Sequence, residues 1–233
     1  MAKTKAPGFP NEPARYRTAR KRLLKAETDL RRRVENVAKL RRKLPLGGAL
    51  KEDYVFAEGS ADLDDRRTVR ETRFSELFGK NRPTLVVYSF MFAPEGKQPC
   101  LMCSSFLDGL DGNAQHLADT VNLAVVAKAP IATHRDWART RGWRNLRLLS
   151  SHDNTYNADY KAELPDGSQM PILNVFVKRG RKIHHTWGSE MLYTPSGRGQ
   201  DPRHLDMVWP LWNVLDLTPG GRGARWYPKA SYP

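Results

Sequence analysis

The stretch from Pro83 to Cys103 reads PTLVVYSFMFAPEGKQPCLMC, and it decides the predicted fold. Its first part, residues 83–91, has the β-branched and aromatic content of a buried strand. A loop with two prolines and a glycine follows, and apolar residues then recur at a helical spacing from Cys100 to His116. The sequence therefore predicts a strand, a loop and a helix whose first turn carries two cysteines, Cys100 and Cys103.

The segments on both sides of this stretch extend the pattern. Upstream, the sequence predicts a short strand at 54–56, a charged turn over 62–73 and a helical turn at 74–78. Downstream, it predicts a strand at 121–127, a helix at 130–141, a strand at 146–150, a hairpin of 171–177 with 182–187, and a last helix at 204–215. A βαβ unit followed by a ββα unit makes a mixed sheet flanked by helices on both faces. We therefore predict a thioredoxin-like α/β fold, with the cysteines where its active site would lie.

A long helical arm is predicted to precede this domain. Residues 13–44 read as one helix that Pro45 ends, with Gly47-Gly48 as a flexible exit. Five apolar residues recur in it at intervals of seven, namely Tyr16, Leu23, Leu30, Val37 and Leu44. Such a stripe packs against its own domain or forms a homodimer through a coiled coil. The predicted organisation is an arm over residues 1–48 and a thioredoxin-like domain over residues 49–233.

The positive charge is concentrated on this arm. The formal net charge of the chain is +14, and residues 1–50 hold 15 Lys/Arg against 4 Asp/Glu, a net +11. The arm could bind an acidic partner or nucleic acid through phosphate contacts. Base-stacking aromatic residues are nearly absent from it, Tyr16 being the single one between residues 10 and 50. A solvated helical face is therefore the alternative interpretation.

The composition favours a cytoplasmic protein. No apolar run approaches the roughly 18 residues that span a membrane, so no membrane partner is expected. The basic and polar N-terminal residues lack the pattern of a secretory signal. Two cysteines in 233 residues do not form the disulfide framework of a secreted domain.

The Cys-x-x-C spacing indicates redox chemistry. At a helix start, backbone amides and the helix dipole favour a thiolate on Cys100, which would attack a disulfide. Cys103, one turn inside the helix, would resolve the mixed disulfide. Two alternatives stay open: both cysteines are inert core residues, or they bind zinc together with His116. The zinc site lacks a fourth ligand, so we predict no metal and no cofactor.

Short motifs spread over nearly the whole chain carry a family resemblance. They are Tyr16 with Arg20, Leu23-Leu24, residues 41–45 (RRKLP), residues 54–56 (YVF), Leu77-Phe78, residues 90–92 (FMF), Cys100 and Cys103 with Ser104, residues 185–187 (HTW), and residues 215–219 (LDLTP) with Gly221-Arg222. In this order they resemble the thioredoxin-like family catalogued as domain of unknown function 899. The resemblance implies a thioredoxin-like domain behind a helical arm, and it implies no settled biochemical activity.

Two further site residues follow from the thioredoxin-like resemblance. Residues 170–176 (MPILNVF) are similar to the segment in which such folds carry a cis-proline facing the cysteine pair, which assigns this role to Pro171. The alternative is a trans proline that opens an edge strand. His185 belongs to the family motif and would tune a thiolate or relay a proton, the alternative being a structural histidine held by hydrogen bonds.

The site also departs from the patterns of active relatives. The cysteine motif is Pro99-Cys100-Leu101-Met102-Cys103 where thioredoxins have Trp-Cys-Gly-Pro-Cys, and the strand at 83–91 lacks their buried acid. Lys97 stands where peroxiredoxins have a threonine. We predict a thiol–disulfide oxidoreductase acting on an unidentified protein or small-molecule thiol or disulfide. The alternative is a non-catalytic scaffold of the same fold whose basic arm binds an acidic partner or nucleic acid.

Overall fold

A computed structural model describes residues 8–223 and 226–232 of the chain. The chain divides into two compact units, residues 1–45 and residues 46–233. The division falls at Pro45, the proline that the sequence analysis places at the end of the arm helix.

The first unit contains one long helix, α1, which runs from Ala14 to Arg42. The preceding residue, Pro13, has an extended backbone and is the N-cap of the helix. Proline is common at the start of a helix, because its ring fixes φ near the helical value and its missing N–H is not needed there. Lys43 caps the C-terminal end with its backbone N–H. The long N-terminal helix is thereby confirmed, whereas dimerisation through its apolar stripe stays a prediction.

The second unit is built on one sheet of seven strands. The strands are β1 (Val55–Gly59), β2 (Val69–Arg73), β3 (Thr84–Phe90), β4 (Asn122–Ala127), β5 (Leu148–Ser150), β6 (Ile172–Arg179) and β7 (Lys182–Gly188). Their spatial order is β2-β1-β5-β4-β3-β6-β7. The three strands β3, β4 and β5 are parallel, and every other pairing is antiparallel.

Helical segments connect and cover these strands. The helices are α2 (Leu101–Ala118), α3 (Ile131–Arg141), α4 (Tyr156–Asp159) and α5 (Pro210–Asp216), with 3-10 turns at Phe74–Leu77, Glu190–Tyr193 and Asp206–Val208. The crossovers β3–α2–β4 and β4–α3–β5 join parallel neighbours, and the β6–β7 hairpin and α5 complete the domain. This arrangement confirms the predicted thioredoxin-like α/β fold.

The sheet separates two hydrophobic cores. Successive residues of a strand point to opposite faces, so Tyr88 and Phe90 of β3 enter one core while Leu85 and Val87 enter the other. We call the first the α2 face, because α2, α3 and α5 all contribute to it. Two successive right-handed crossovers in the same direction put both of their helices on one side. The other side, the Tyr156 face, is covered by an aromatic layer and the short α4.

Three local features differ from the sequence prediction. The segment expected to be a charged turn over 62–73 ends in strand β2. Thr72 is the one buried residue of this strand, so its sequence lacks the alternation of apolar and polar residues that is typical of a half-buried strand. The last helix begins at Pro210 instead of residue 204, because proline is favoured at the first helical position. The polar segment 151–170 contains α4, which is too short to give a periodic signal.

A helix that crosses a bilayer must be both long and apolar, and the helices of the described residues do not meet this requirement. None of them combines a sufficient length with a sufficiently apolar stretch. The cytoplasmic location stays a prediction.

Candidate active site

Cys100 is the N-cap residue of α2, directly before the first helical residue. Strand β3 leads to it through the loop over residues 91–99, and the loop folds back so that the Cys100 backbone N–H donates to the Met91 carbonyl, at 3.0 Å. The Cys100 carbonyl in turn accepts from the backbone N–H and the hydroxyl of Ser104, at 3.0 and 3.1 Å. Both backbone groups of Cys100 are therefore fixed, and its side chain lies at the helix start.

The two predicted cysteines lie together and differ in exposure. Their side chains approach to 3.5 Å, and both are free thiols. Cys100 is partly exposed, whereas Cys103 keeps 2% of its surface accessible and belongs to the core of the α2 face. One sulfur can meet a dissolved reactant, and the other can be reached only through the first.

The pKa of Cys100 is lowered to about 6. The main cause is a hydrogen bond from the Cys103 thiol, which stabilises the Cys100 thiolate. Partial burial opposes this effect, and the backbone amides of Cys103 and Met102 strengthen it. These amides are the unpaired N–H groups of the first turn of α2, where the helix dipole also favours negative charge. At neutral pH Cys100 is therefore mainly a thiolate.

The pKa of Cys103 is raised well above its ordinary value. Burial is the main cause, and the adjacent Cys100 adds to it. The hydroxyl of Tyr88, from β3, contacts the Cys103 sulfur and partly offsets this rise. Burial also raises the pKa of Tyr88 well above its ordinary value, so this phenol stays protonated and acts as a donor. The strand thus places a tyrosine beside the inner sulfur, where the sequence analysis found no carboxylate.

Tyr227 is a site residue that sequence reasoning missed. Its hydroxyl lies 3.8 Å from the Cys100 sulfur, although the two residues are 127 positions apart in the chain. Burial raises the pKa of Tyr227 to about 12, and the neighbouring thiolate contributes to this rise. The phenol is therefore a hydrogen-bond donor to Cys100. Two contacts hold its segment, namely the Arg141 guanidinium to the Ala230 carbonyl at 2.6 Å and the Trp226 ring on Trp212 at 5.8 Å.

Pro171 lies at the same end of the sheet as the cysteines but is not a cis-proline. It directly precedes β6, whose first residue, Ile172, pairs with Ser89 near the end of β3. The peptide bond before Pro171 is trans, so the predicted cis form is wrong. The alternative is confirmed in part: the proline is trans and precedes a strand, but β6 lies between β3 and β7 and is not an edge strand. The trans form is the ordinary one, since it is favoured at the bond before a proline by about 0.5–1 kcal/mol.

His185 lies on the other side of the sheet from the cysteines. Its ring packs against Phe176, with centroids 5.2 Å apart, and Phe176 belongs to the core of the Tyr156 face. The His185 Nε2 atom is 2.9 Å from Asn174 Oδ1, and burial lowers the pKa of the imidazole. The structure therefore does not bring His185 together with Cys100 and Cys103, and its contacts are those of a structural histidine.

The zinc alternative has no geometric support. His116 lies near the C-terminal end of α2, whereas Cys100 lies before its first residue. At about 1.5 Å per residue, the two are separated by roughly 20 Å along the helix axis. Within residues 8–223 and 226–232, no three histidine, cysteine, aspartate or glutamate side chains cluster in a way that could hold a metal ion.

The sequence was next compared with family models. The model described as "Bacterial protein of unknown function (DUF899)" matches residues 8–232, which is nearly the whole chain. The chain belongs to the DUF899 family. This membership confirms the predicted resemblance, and none of the curated proteins matches the sequence.

Solved structures similar to this DUF899 protein were also found. The pneumococcal exposed lipoprotein thioredoxin from Streptococcus pneumoniae strain TIGR4 is 14% identical to this chain, with a TM-score of 0.41. The aligned region covers 69% of this chain and 99% of the lipoprotein chain. Thioredoxin peroxidase I from Plasmodium yoelii is 14% identical with a TM-score of 0.47, covering 79% of this chain and 100% of its own. The reduced 2-Cys peroxiredoxin from Plasmodium vivax is 14% identical with a TM-score of 0.45, covering 73% of this chain and 94% of its own.

Proposed function

We propose that this DUF899 protein is a thiol–disulfide oxidoreductase in which Cys100 is the attacking thiolate and Cys103 the resolving thiol. One observation carries the proposal: two free cysteines lie 3.5 Å apart, one partly exposed with a lowered thiol pKa and one buried with a raised thiol pKa. This asymmetry is what a two-step exchange requires, since the first thiol must be ionised and accessible while the second must wait.

The proposed reaction starts with attack of the Cys100 thiolate on one sulfur of a substrate disulfide. The Cys100–substrate bond forms, the substrate's own S–S bond breaks, and the second half of the substrate leaves as a thiolate. Cys103 then attacks the Cys100 sulfur, and its proton goes to the departing first half, which leaves as a thiol. The protein ends with a Cys100–Cys103 disulfide, and two electrons have passed to the substrate. An external dithiol returns the protein to its reduced form by the reverse sequence.

The surroundings of the two sulfurs support these roles. The first-turn amides and the Tyr227 hydroxyl donate to the Cys100 sulfur, so they stabilise it whenever it carries negative charge. The second step needs contact between the two sulfurs, and Cys103 is already adjacent. The Tyr88 phenol faces the Cys103 sulfur and stabilises the charge that develops there as its proton leaves.

The two other site residues predicted from the sequence, Pro171 and His185, take no part in the proposed chemistry. Pro171 precedes β6, which pairs with β3. We therefore assign it a part in shaping this end of the sheet, near the two cysteines, and no part in the chemistry. His185 is left out, because it packs against Phe176 on the Tyr156 face. The substrate class is a protein or small-molecule disulfide, as the sequence analysis predicts.

A redox titration tests the proposal. The reduced protein is equilibrated with glutathione buffers of different oxidation states, the remaining thiols are alkylated, and the fraction of intramolecular disulfide is measured by mass spectrometry. We expect a reversible two-electron transition between the dithiol and the Cys100–Cys103 disulfide. If both thiols stay reduced, or form only glutathione adducts at every ratio, the proposal fails.

The alternative scaffold role has a separate observation in its favour, the charge of the arm. Within α1 and the residues before it, Glu12, Glu27 and Asp29 pair with neighbouring arginines, yet residues 1–50 retain a net charge of +11. A duplex DNA titration at two salt concentrations, with the full chain and with a variant carrying glutamine at positions 31–33 and 41–43, tests this role. Binding that weakens with salt and in the variant supports it. Binding that responds to neither excludes a role for the arm.

A further inference from the structure

A cavity of about 300 Å³ lies beside the first turn of α2. Met102, which stands between the two cysteines, forms part of its lining. Trp226 forms another part, and it directly precedes Tyr227, whose hydroxyl is 3.8 Å from the Cys100 sulfur. Cys100 itself does not line the cavity, but two lining residues, Met102 and Trp226, are close neighbours in the chain of the residues that form the site.

Three tryptophans are among the residues that line this cavity. Trp209, Trp212 and Trp226 all line it, and consecutive members of this trio pack at steep angles with ring centroids 5.7 and 5.8 Å apart. Trp209 and Trp212 are buried, whereas 41% of the Trp226 surface is exposed. The Met102 thioether adds a polarisable group that adapts to the shape of an apolar neighbour. Such a surface favours an apolar or aromatic group, which would stack on or abut the indoles.

The charged residues around the cavity neutralise one another. Arg222 pairs with Asp206 at 2.5 Å and with Asp201 at 3.5 Å, and Arg203 pairs with Asp206 at 2.8 Å. The Arg222 guanidinium also lies over the Trp212 ring, 5.4 Å from its centroid. The lining thus contains two cations and two anions in mutual contact. A charged ligand group would gain little from them, so the cavity does not select for charge.

One polar group of the lining lacks a partner. The indole Nε1–H of Trp209 is buried, and no acceptor among the described residues lies within hydrogen-bond distance of it. Trp209 itself is 5% exposed. Buried N–H donors almost always have an acceptor in folded proteins, since leaving one unpaired costs about 1–3 kcal/mol. Because this nitrogen has almost no accessible surface, it is not offered to a bound molecule in this conformation, and the ring of Trp209 supplies the contact instead.

We propose that this cavity is a substrate subsite, which takes an apolar side chain, aromatic by preference, next to the disulfide of a peptide or protein substrate. The inference rests on the proposed function and narrows its substrate class from any disulfide to disulfides with an apolar flank. A volume of about 300 Å³ lies at the lower end of the range of ligand pockets and accommodates one large side chain.

The test uses three chromogenic probes that differ in one residue. They are mixed disulfides of 5-thio-2-nitrobenzoate with the peptides Gly-Phe-Cys-Gly, Gly-Ala-Cys-Gly and Gly-Asp-Cys-Gly. Attack of Cys100 on the peptide sulfur releases the coloured thiolate, and each rate is divided by the rate of the same probe with dithiothreitol. We expect the Phe probe to exceed the Ala probe by about tenfold, as one large apolar group in a pocket allows. The Asp probe should not exceed the Ala probe.

Variants assign the preference to the cavity. Trp226→Ala removes its most exposed wall and should bring the Phe-to-Ala ratio close to one. Trp209→Phe keeps a smaller aromatic wall, so it should lower the Phe-to-Ala ratio less than Trp226→Ala does. Tyr193→Ala, an exposed aromatic residue outside this cavity, is the matched control and should keep the wild-type ratio. Thermal unfolding of each variant shows that the fold is retained.

A binding measurement separates the subsite from the chemistry. Tryptophan fluorescence is titrated with Gly-Phe-Ser-Gly and Gly-Ala-Ser-Gly, which cannot react. Tighter binding of the Phe peptide supports the subsite even if no probe releases its chromophore, an outcome that would contradict the oxidoreductase proposal alone. Equal normalised rates for the three probes, together with equal binding of the two peptides, overturn the subsite and leave the proposed function standing.

Discussion

The two faces of the sheet each carry a close pair of polar side chains, and the pairs differ in what they leave available. On the α2 face, Cys100 and Cys103 approach to 3.5 Å, and the outer sulfur remains partly exposed. On the Tyr156 face, His185 and Asn174 meet at 2.9 Å. The Asn174 amide nitrogen also donates to the Tyr160 carbonyl at 3.2 Å, so both ends of this amide are occupied.

This difference is the basis on which we propose a reactive pair on one face and a structural pair on the other. On the α2 face the environment moves the pKa values of the two thiols in opposite directions, since a hydrogen bond from Cys103 lowers that of Cys100 and burial raises that of Cys103. On the Tyr156 face it favours the neutral imidazole, which the asparagine then holds. Two groups whose environments drive their pKa values apart are a mark of acid–base or nucleophilic roles. Cys100, Cys103 and His185 all belong to the family motif, so the motif alone does not distinguish the two faces.

The largest expected effect is that of Cys100→Ser. A hydroxyl is not ionised near neutral pH, so disulfide reduction should fall by at least about 100-fold, to the background of the assay. His185→Gln, made on the opposite face as the matched control, should change the rate by no more than about twofold. Steady-state turnover of a disulfide substrate measures both. An inactive His185→Gln protein with an intact fold would break the comparison between the faces.

Cys103→Ser should stop turnover in a different way. The variant keeps the attacking thiolate but cannot resolve the mixed disulfide, so one equivalent of substrate stays bound to Cys100. Mass spectrometry of the intact protein should detect this adduct, which a reducing agent removes. Wild-type protein treated in parallel should show the intramolecular disulfide instead. A variant that still turns over would show that Cys103 is not the resolving thiol.

His185→Ala should act on stability and leave the thiols unchanged. The substitution leaves the buried Asn174 carbonyl oxygen without its donor, which costs about 1–3 kcal/mol of the free energy of unfolding. Urea denaturation measures this loss, and alkylation kinetics measure the pKa of Cys100. A shift in that pKa would mean that the two faces are coupled, contrary to this account.

Tyr227→Phe should have the smallest effect. Loss of the hydroxyl removes one donor to the Cys100 thiolate, so the pKa of Cys100 should rise by about half a unit, the equivalent of a weak hydrogen bond. The rise slows the reaction most on the acidic side, where the thiolate fraction is lowest. Tyr232→Phe, in the same C-terminal segment, is the control and should leave the pKa in place. An unchanged pKa in Tyr227→Phe removes the phenol from the site.

Much of the fold could be predicted because its signals are local. The run at 83–91 and the helical spacing after Cys100 depend on neighbouring residues, and they locate β3, α2 and the cysteine pair. Strand β2 could not be found in this way, since an edge strand with one buried residue carries no alternation. The trans form is the ordinary one for the bond before a proline, and the resemblance of the Pro171 segment to a cis-proline segment does not determine the isomer.

The site was predictable only in part, for a related reason. The spacing of Cys100 and Cys103 follows from one helical turn, so the sequence places both sulfurs together. Tyr227 reaches Cys100 from 127 residues away, a contact that no local pattern encodes. The location of His185 depends on which face of β7 it occupies beside the irregular register at Val175 and Phe176, and the family motif carries no information about that face.

The pH dependence of Cys100 alkylation tests the central claim most directly. Reduced protein is treated with iodoacetamide at pH values from 4 to 10, and the modification of each cysteine is followed by peptide mass spectrometry. Only the thiolate reacts, so the Cys100 rate should rise with pH through a midpoint near 6 and level off by pH 7 to 8, while Cys103 stays protected. A midpoint at or above the ordinary cysteine value of about 8.5, or equal rates for the two cysteines, would contradict the account.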